Sequence, residues 1–374
     1  MTYKEALLFV GKCLTLGIHP ERAPQVRHEI REGKIVWEQI IRLSSSQFVL
    51  PALFIRLERA SLLKELPSDL VEFMKYITDT NRERNQQILT QINELSILQN
   101  SRGIAPVFLK GTAHLLLPLY DDIAERMVGD IDFLVEEKDL LKAAQLLIGV
   151  GYEPLAKFNA ALLKSTKHYP RLTNFNYPAA VEVHRQVIVP PHDKNFKASE
   201  IIKHKQKVVL QSNVYIPSNK HLIIHNALNT QVNDKAYLKG DINLRQMYDL
   251  LLLSKLENPQ SVLNEFARFP HHTNAYLALV TLVFDKPDGI EYDHNIRVKL
   301  SLKRDNFFIL RPNYFPFIYK FIIYIFQRLS RYVILPFQSI YRKDVRAGLW
   351  FRMSDPKWYK YHILSYWKYF KPVS

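Results

Sequence analysis

Gly129-Asp130-Ile131-Asp132-Phe133-Leu134-Val135 is the stretch whose reading decides the fold. Acidic and apolar side chains alternate through it, as they do on a β-strand, where successive residues face opposite sides. Asp130 and Asp132 then project one way, with Leu134 after them, while Ile131, Phe133 and Val135 face a core. Two carboxylates at this spacing repel each other unless a cation lies between them. Upstream, the apolar run 105–109 ends at Lys110-Gly111-Thr112 and is followed by the apolar stretch Leu115 to Leu119, which reads as strand, turn, helix. Downstream, a helix is expected over Lys138 to Ile148, ahead of Gly149 and Gly151, then strands around His168 to Phe175 and Ala180 to Val187, closed by Pro190-Pro191.

The second of these strands repeats the acidic pattern. In Val181-Glu182-Val183-His184 the valines face the core, and Glu182 and His184 share the other face. If this strand lies beside the Asp130 strand, three carboxylates converge. Oxygen ligands of this kind suit Mg²⁺, with Mn²⁺ as the alternative. Two such ions can activate an attacking oxygen and neutralise a leaving pyrophosphate. The Gly111-Thr112 turn allows close backbone approach to a phosphate. Lys110 beside it offers a point charge, and Arg126, four residues before Asp130, offers a fork of donors. His168 and His184 either serve a substrate phosphate or a proton, or are partly buried histidines with a single hydrogen bond. His221 and His225 have a spacing that can bind zinc, but no acid between them and no third ligand nearby in sequence supports it. Asp121, Asp122 and Glu125, in the loop before Arg126, read as surface residues.

Composition narrows the classes. The chain has 374 residues, 47% of them hydrophobic and 23% charged, enough for a core and contrary to disorder throughout. One cysteine, Cys13, excludes a disulfide scaffold and a cysteine-cluster metal site, and the amino terminus has no signal-peptide pattern, so a cytoplasmic protein is expected. Eleven glycines make helix the expected majority. Helical spacing is plain at Leu70, Phe73, Met74 and Ile77, continues through Ile88, Ile92, Leu95, Ile97 and Leu98, and is expected to stop near Gly103. Amphipathic helices are also expected over His221 to Leu228 and Leu244 to Leu253.

The formal charge of +15 lies at one end. Residues 297–374 carry 16 Lys or Arg against three acids, and 21 of the 45 aromatics. The run Tyr314 to Phe337 is interrupted by Pro316, Lys320, Arg328 and Arg331, whereas spanning a bilayer takes about 20 apolar residues in succession. Such a segment either lies on an anionic membrane surface, binds nucleic acid, or packs on the body with its cations in water. The nucleic-acid reading is the weaker of the first two.

The ordered set of strand, Gly-Thr, helix, Arg, Asp-x-Asp strand, helix and apolar-Glu-apolar-His strand resembles the nucleotidyltransferase fold of the DNA polymerase β superfamily. Within it the chain is similar to the bacterial uncharacterised nucleotidyltransferase family, on Leu109-Lys-Gly111, Arg126 with Gly129 to Val135, Gly151-Tyr152, His168, Val181 to His184, and Leu244 to Leu250. The fold class expected is α+β, a small mixed-sheet core at 101–215 flanked by helical regions at 1–100 and 216–296, with a basic aromatic extension at 297–374. The resemblance implies that Asp130, Asp132 and Glu182 hold the metals, that Glu182 can act as base, and that Gly111 and Thr112 cradle the triphosphate. The superfamily usually carries Ser where Thr112 stands. Arg245 and Asp249, at i and i+4 on a helix, either pair with each other or, by the resemblance, help close the site. The implied activity moves a nucleoside monophosphate from an NTP donor to a hydroxyl acceptor, with a lipid-linked or surface-polysaccharide precursor as candidate acceptor and a peripheral position on the inner face of the membrane. A phosphotransferase using the same metals, or a non-catalytic nucleotide- or nucleic-acid-binding regulator on the same fold, are the alternatives.

Overall fold

A computed structural model describes residues 1–117, 119–158, 166–190, 192–209, 213–312, 315–341, 343–354, 356 and 360; Pro191 and, in the extension, Trp358, Trp367 and residues 361–374 lie outside it. The chain opens with helices α1 (Tyr3–Leu14), α2 (Ala23–Arg31), α3 (Trp37–Ser46), α4 (Leu50–Arg59) and α5 (Ser68–Asn100). Thr2 and Glu5 close a capping box at the start of α1. The core then runs β1 (Val107–Phe108), α6 (Lys110–Leu116), β2 (Asp130–Leu134), α7 (Leu140–Gly149), β3 (Glu153–Pro154), β4 (Leu172–Thr173), β5 (Ala180–His184), α8 (Ala198–Lys203), β6 (Gln206–Val209) and β7 (Asn213–Ile216). Helices α9 (Asn219–Leu228), α10 (Ala236–Lys239), α11 (Leu244–Leu253), α12 (Pro259–Phe266) and α13 (Pro270–Val283) follow. The extension forms α14 (Ile296–Leu310), α15 (Phe315–Tyr341) and α16 (Lys343–Ser354).

The seven strands form one mixed sheet in the order β3-β4-β5-β2-β1-β7-β6. β2 is central, parallel to β5 on one side and antiparallel to β1 on the other. The α+β class is therefore as expected. Strands β6 and β7, which form one edge, are a hairpin beyond Pro190-Pro191, so the sheet extends past the point where the sequence suggested closure. The helix at the Gly-Thr turn also starts earlier than the apolar run suggested. It begins at Lys110 and ends at Leu116, because Leu117, which precedes a proline, takes an extended backbone.

Helix α5 does more than cover the sheet. Its buried stripe includes Met74, Ile88, Ile92 and Leu95, but also Thr78, Asn81, Asn85, Gln91 and Gln99. Of the apolar residues that set the expected stripe, Phe73 and Ile97 are exposed. The buried amides donate to carbonyls of the core: Asn81 to Ala124, Asn85 to Ile123 and Arg126, Gln91 to Ala179, and Gln99 to Ala143. Arg84 on the same helix donates to the carbonyls of Val128 and Pro178. One helix thus fixes the backbone just ahead of both acidic strands. These bonds answer the rule that a buried carbonyl needs a donor.

In the extension, α14 packs on α13 and α1, and α15 touches α10 and α16. Ile318, Ile322, Phe326, Leu329, Val333 and Phe337 recur at helical spacing along α15 and are exposed. No described helix is long and apolar enough to cross a membrane.

Candidate active site

The pairing of β2 with β5 brings the acids together. Asp132 stands opposite Glu182, Leu134 opposite His184, and Asp130 opposite Ala180. Asp132 is 1% exposed. Its Oδ1 accepts from Lys110 Nζ at 2.5 Å and faces His184 Nε2 at 2.7 Å. Glu182 Oε2 lies 3.3 Å from the same His184 nitrogen and 3.7 Å from His168 Nε2. His168 is bridged to His184 on the neighbouring strand segment, and their rings are 5.0 Å apart. Asp130, at the entry of β2, has Arg171 at 3.9 Å.

The electrostatics follow from burial and these neighbours. Burial and the adjacent Asp132 push the Asp130 carboxyl above its ordinary value, against Lys110. Burial acts the same way on Asp132, but Lys110 and the His184 hydrogen bond overcome it and hold that carboxyl well below the usual range. Burial also opposes the charge of Glu182, and the hydrogen bond with His184 lowers its pKa nonetheless. Burial disfavours the Lys110 ammonium, yet Asp132 raises its pKa above the ordinary value. Lys167 and His168 are both lowered, chiefly by burial, then by Lys110 and His184 respectively. The acids thus sit among basic groups; burial sets the sign of the shift for Asp130, Lys167 and His168, and charged or hydrogen-bonded neighbours set it for Asp132, Glu182 and Lys110.

Asp132, Glu182 and His184 each offer one ligand atom, all within 4.8 Å of one another. Asp130, expected in the metal set, is not in this group, and His184 is. The ring of His184 tests the fit of a cation. Its Nδ1 lies 3.2 Å from the Gln186 carbonyl oxygen, which only accepts. Nδ1 is thus the donor of that bond, and Nε2 is turned to both carboxylates, so that the three groups converge on a point that one cation would share. A metal-binding histidine commonly donates its second N–H to a backbone carbonyl in this way. Two carboxylates suit Mg²⁺, and the added imidazole nitrogen suits Mn²⁺ as well. The donor set fits a divalent cation.

Lys110 reaches Asp132 from a backbone at φ 51°, the left-handed region that a residue with a Cβ adopts at a cost of about 1–2 kcal/mol. Gly111 is packed so closely that a Cβ there would stand 3.3 Å from both Arg126 Nη2 and Val128 Cγ2. Thr112 is buried, and its hydroxyl donates to the Asp130 carbonyl at 3.3 Å, joining the turn to β2. Arg126 is buried too, with Nη2 on Asp249 Oδ2 at 2.9 Å and Nη1 on the Met127 carbonyl at 2.7 Å.

Arg245 and Asp249 both lie on α11, but they do not form the i, i+4 pair. Asp249 takes Arg126, His114 Nδ1 at 3.3 Å and the Tyr120 hydroxyl. Arg245 instead donates to the Met127 carbonyl at 3.0 Å and stacks over Phe48. Burial and the nearby Arg126 lower its pKa to about 10. Burial opposes the charge of Asp249, and Arg126 and His114 overcome it, so its pKa is depressed. The partner nearest in sequence loses to the one the fold brings closer, and α11 holds the backbone ahead of β2 through both residues.

The loop acids are a second departure. Asp121 is exposed, as expected, and pairs with Arg56, but Asp122 is half-buried against Arg82, and Glu125 is buried against Arg56 and the Tyr248 hydroxyl. Their partners lie on α4, α5 and α11, where no local pattern points to them. Sequence reasoning also missed Lys167 and Arg171 beside the acids, and His114 and Tyr120 on Asp249; the position of Lys167 next to His168 was the one available signal. His221 bonds Ser218 and His225 is buried, and neither belongs to the ligand group found among the described residues.

A mixed sheet in which an Asp-x-Asp strand runs parallel to a strand bearing a third acid, with a Gly-Thr turn packed beneath, is a nucleotidyltransferase-type core. The profile of a family of uncharacterised nucleotidyltransferases matches residues 33–280, and the chain belongs to that family. The match takes in α3 to α12 and most of α13, and leaves α14, α15 and α16 outside. No curated protein matches the chain.

Proposed function

We propose that the protein transfers a nucleoside monophosphate from an NTP to an acceptor hydroxyl and releases pyrophosphate. The observation that carries this reading is the convergence of Asp132, Glu182 and His184 Nε2, on a core whose family is one of nucleotidyltransferases. Asp132, Glu182 and His184 would hold the ion, Mg²⁺ or Mn²⁺, with Asp130 at its margin. When bound, such an ion neutralises phosphate charge and lowers the cost of ionising the attacking hydroxyl.

The remaining work belongs to the chain. Lys110 binds the donor's phosphates as a point charge, beside the backbone of Gly111 and Thr112. Arg126 sets the geometry of that turn, and Arg245 and Asp249 fix Arg126 and the Met127 carbonyl. Glu182 takes the proton of the acceptor hydroxyl, whose oxygen forms a bond to the α-phosphorus as the bond to pyrophosphate breaks. His168, next to Glu182, orients that carboxylate or binds a phosphate oxygen. The basic, aromatic extension, with the exposed apolar stripe of α15, supports a peripheral position on an anionic inner membrane surface and an acceptor such as a lipid-linked precursor.

Calorimetric titration of each NTP, with and without Mg²⁺ or Mn²⁺, into the protein and its Asp130→Asn/Asp132→Asn variant tests the reading. Metal-dependent binding lost in the variant is expected, followed by NMP addition to the acceptor by product mass. Absence of binding to every NTP by folded protein refutes it. Phosphate addition instead of NMP addition would mark a phosphotransferase.

A further inference from the structure

Where α10 meets α15 there is a cavity of about 570 Å³, within the usual size range of small-ligand sites. Lys235 and Lys239 line it from the core side, and Lys320 and Arg328 line it from α15. Two turns apart, the α15 pair shares the helix face opposite the exposed apolar stripe. Asp234 and Asp241 are the acids of the wall, so the lining is net cationic. Its cations are held in place: Lys320 Nζ on Asp241 at 2.5 Å, Lys235 Nζ on Gln327 at 2.8 Å, and Lys239 Nζ on the Asp234 carbonyl at 2.9 Å.

Two backbone features point the same way. Lys235 is at φ 60°, the left-handed region where a non-glycine residue is strained and where strain tends to mark function. It follows a π-helical turn, Asn229–Asn233, of the kind enriched at functional sites. Asn233 pins this turn to the loop leaving β5, donating to the Val187 carbonyl and accepting from the Val189 N–H. The Gly111 turn, by contrast, packs on Arg126 and Val128, ahead of β2. Since β2 and β5 are parallel, the turn and the cavity sit toward opposite ends of the acidic strands. The cavity is still in electrostatic range of the acids' own cations: burial raises the pKa of Asp234, and Lys167 and Lys110 oppose it.

We infer that this cavity binds a phosphate group of the acceptor, so that α15, outside the family's span, helps select what the core modifies. The inference rests on the transfer reading above. A phosphate there would meet Lys235, Lys239, Lys320 and Arg328 at the end of β5, away from the donor's triphosphate. The ligand class is a phosphorylated acceptor, either soluble or presented by a lipid.

The test is titration of inorganic phosphate into the full chain without divalent cation, comparing wild type with Lys320→Glu/Arg328→Glu. Binding weakened about tenfold or more is expected, the scale of losing charge-assisted hydrogen bonds. Ile323→Trp, which fills the cavity and keeps its charges, should weaken it similarly. Cosedimentation with phosphatidylcholine vesicles, with and without phosphatidic acid, separates the sources. Loss of phosphatidic acid binding alongside phosphate binding indicates a lipid headgroup, and loss of phosphate binding alone indicates a soluble acceptor; either supports the site. No phosphate binding by wild type, or equal binding in the charge-reversed and filled variants, overturns it; a fall in thermal stability without a change in phosphate binding would show an ion-pair seam docking α15. Metal-dependent NTP binding, measured in parallel, tells the two readings apart: if it is absent the transfer reading fails, and if it is present with unaltered phosphate binding only the acceptor site fails.

Discussion

Replacing Arg56 by Leu is expected to be among the most destabilising single changes in the chain, though Arg56 touches no acid of the site. Its guanidinium is 3% exposed. Nη2 bonds both oxygens of the buried Glu125 at 2.5 and 2.6 Å, Nε adds a third bond at 3.1 Å, and Nη1 reaches Asp121 at 2.7 Å. Removing the cation leaves Glu125 buried, with the Tyr248 hydroxyl at 2.9 Å as its remaining described donor. Breaking a buried pair from one side costs about 3–5 kcal/mol, mostly the penalty of the stranded charge. At roughly 2 °C per kcal/mol for large domains, the melting temperature of Arg56→Leu should fall by roughly 6–10 °C. Adding Glu125→Gln should restore a good part of it, because a neutral amide tolerates burial and can still accept from Tyr248. Thermal melts and urea midpoints of the two single variants and the double variant would measure the cycle. A loss below about 1 kcal/mol for Arg56→Leu, or a double variant no more stable than it, would refute the claim that a stranded carboxylate dominates the cost.

Three further outcomes are expected. Asp132→Asn should lower NMP transfer by about 10³-fold or more while the protein stays folded, as read by product formation and circular dichroism; full activity would remove the metal assignment. Asp249 has a depressed pKa in the folded protein, so the stability it contributes is present above the unfolded-state value of about 4 and is lost as pH falls below it. Melting temperatures should therefore drop more steeply with acid in wild type than in Asp249→Asn, and parallel pH curves would contradict this. Deleting residues 314–374 should release the protein from anionic vesicles in a sedimentation assay, and unchanged binding would withdraw the support that the extension lends to a membrane position.

The acidic strand was legible because a period of two is a strong local signal: Asp130 and Asp132, flanked by Ile131 and Phe133, left little choice of face. The same signal in Val181 to His184 gave the partner strand, and Leu244 to Leu253 is a helix over the residues its pattern indicates. What escaped were contacts between residues far apart in sequence. Arg56 and Glu125 meet through the packing of α4 on the loop before β2, and neither carries a motif. The apolar spacing of α5 gave no sign of its polar contacts, yet Asn81, Asn85, Gln91 and Gln99 are buried and donate to carbonyls of the core beside them. His184 was read as serving a substrate phosphate or a proton, or as a partly buried histidine, and not as a member of the metal set. Its Nδ1 contact with Gln186, two residues on, turns Nε2 toward Asp132 and Glu182, and the bend after β5 makes that contact.

On the proposed reading, the contact between Lys110 and Asp132 sets the thermodynamics of loading the site. A divalent ion approaching Asp132 meets a carboxylate that already has a counter-ion, so its entry is an exchange in which the ammonium must leave. Ion alone gains only the difference between two attractions, which favours weak affinity. When the ion arrives with a nucleotide, the displaced ammonium finds phosphate oxygens, and the cost of exchange falls. Ion and nucleotide are thereby linked: each should tighten the binding of the other by the same factor, with one lysine as the link.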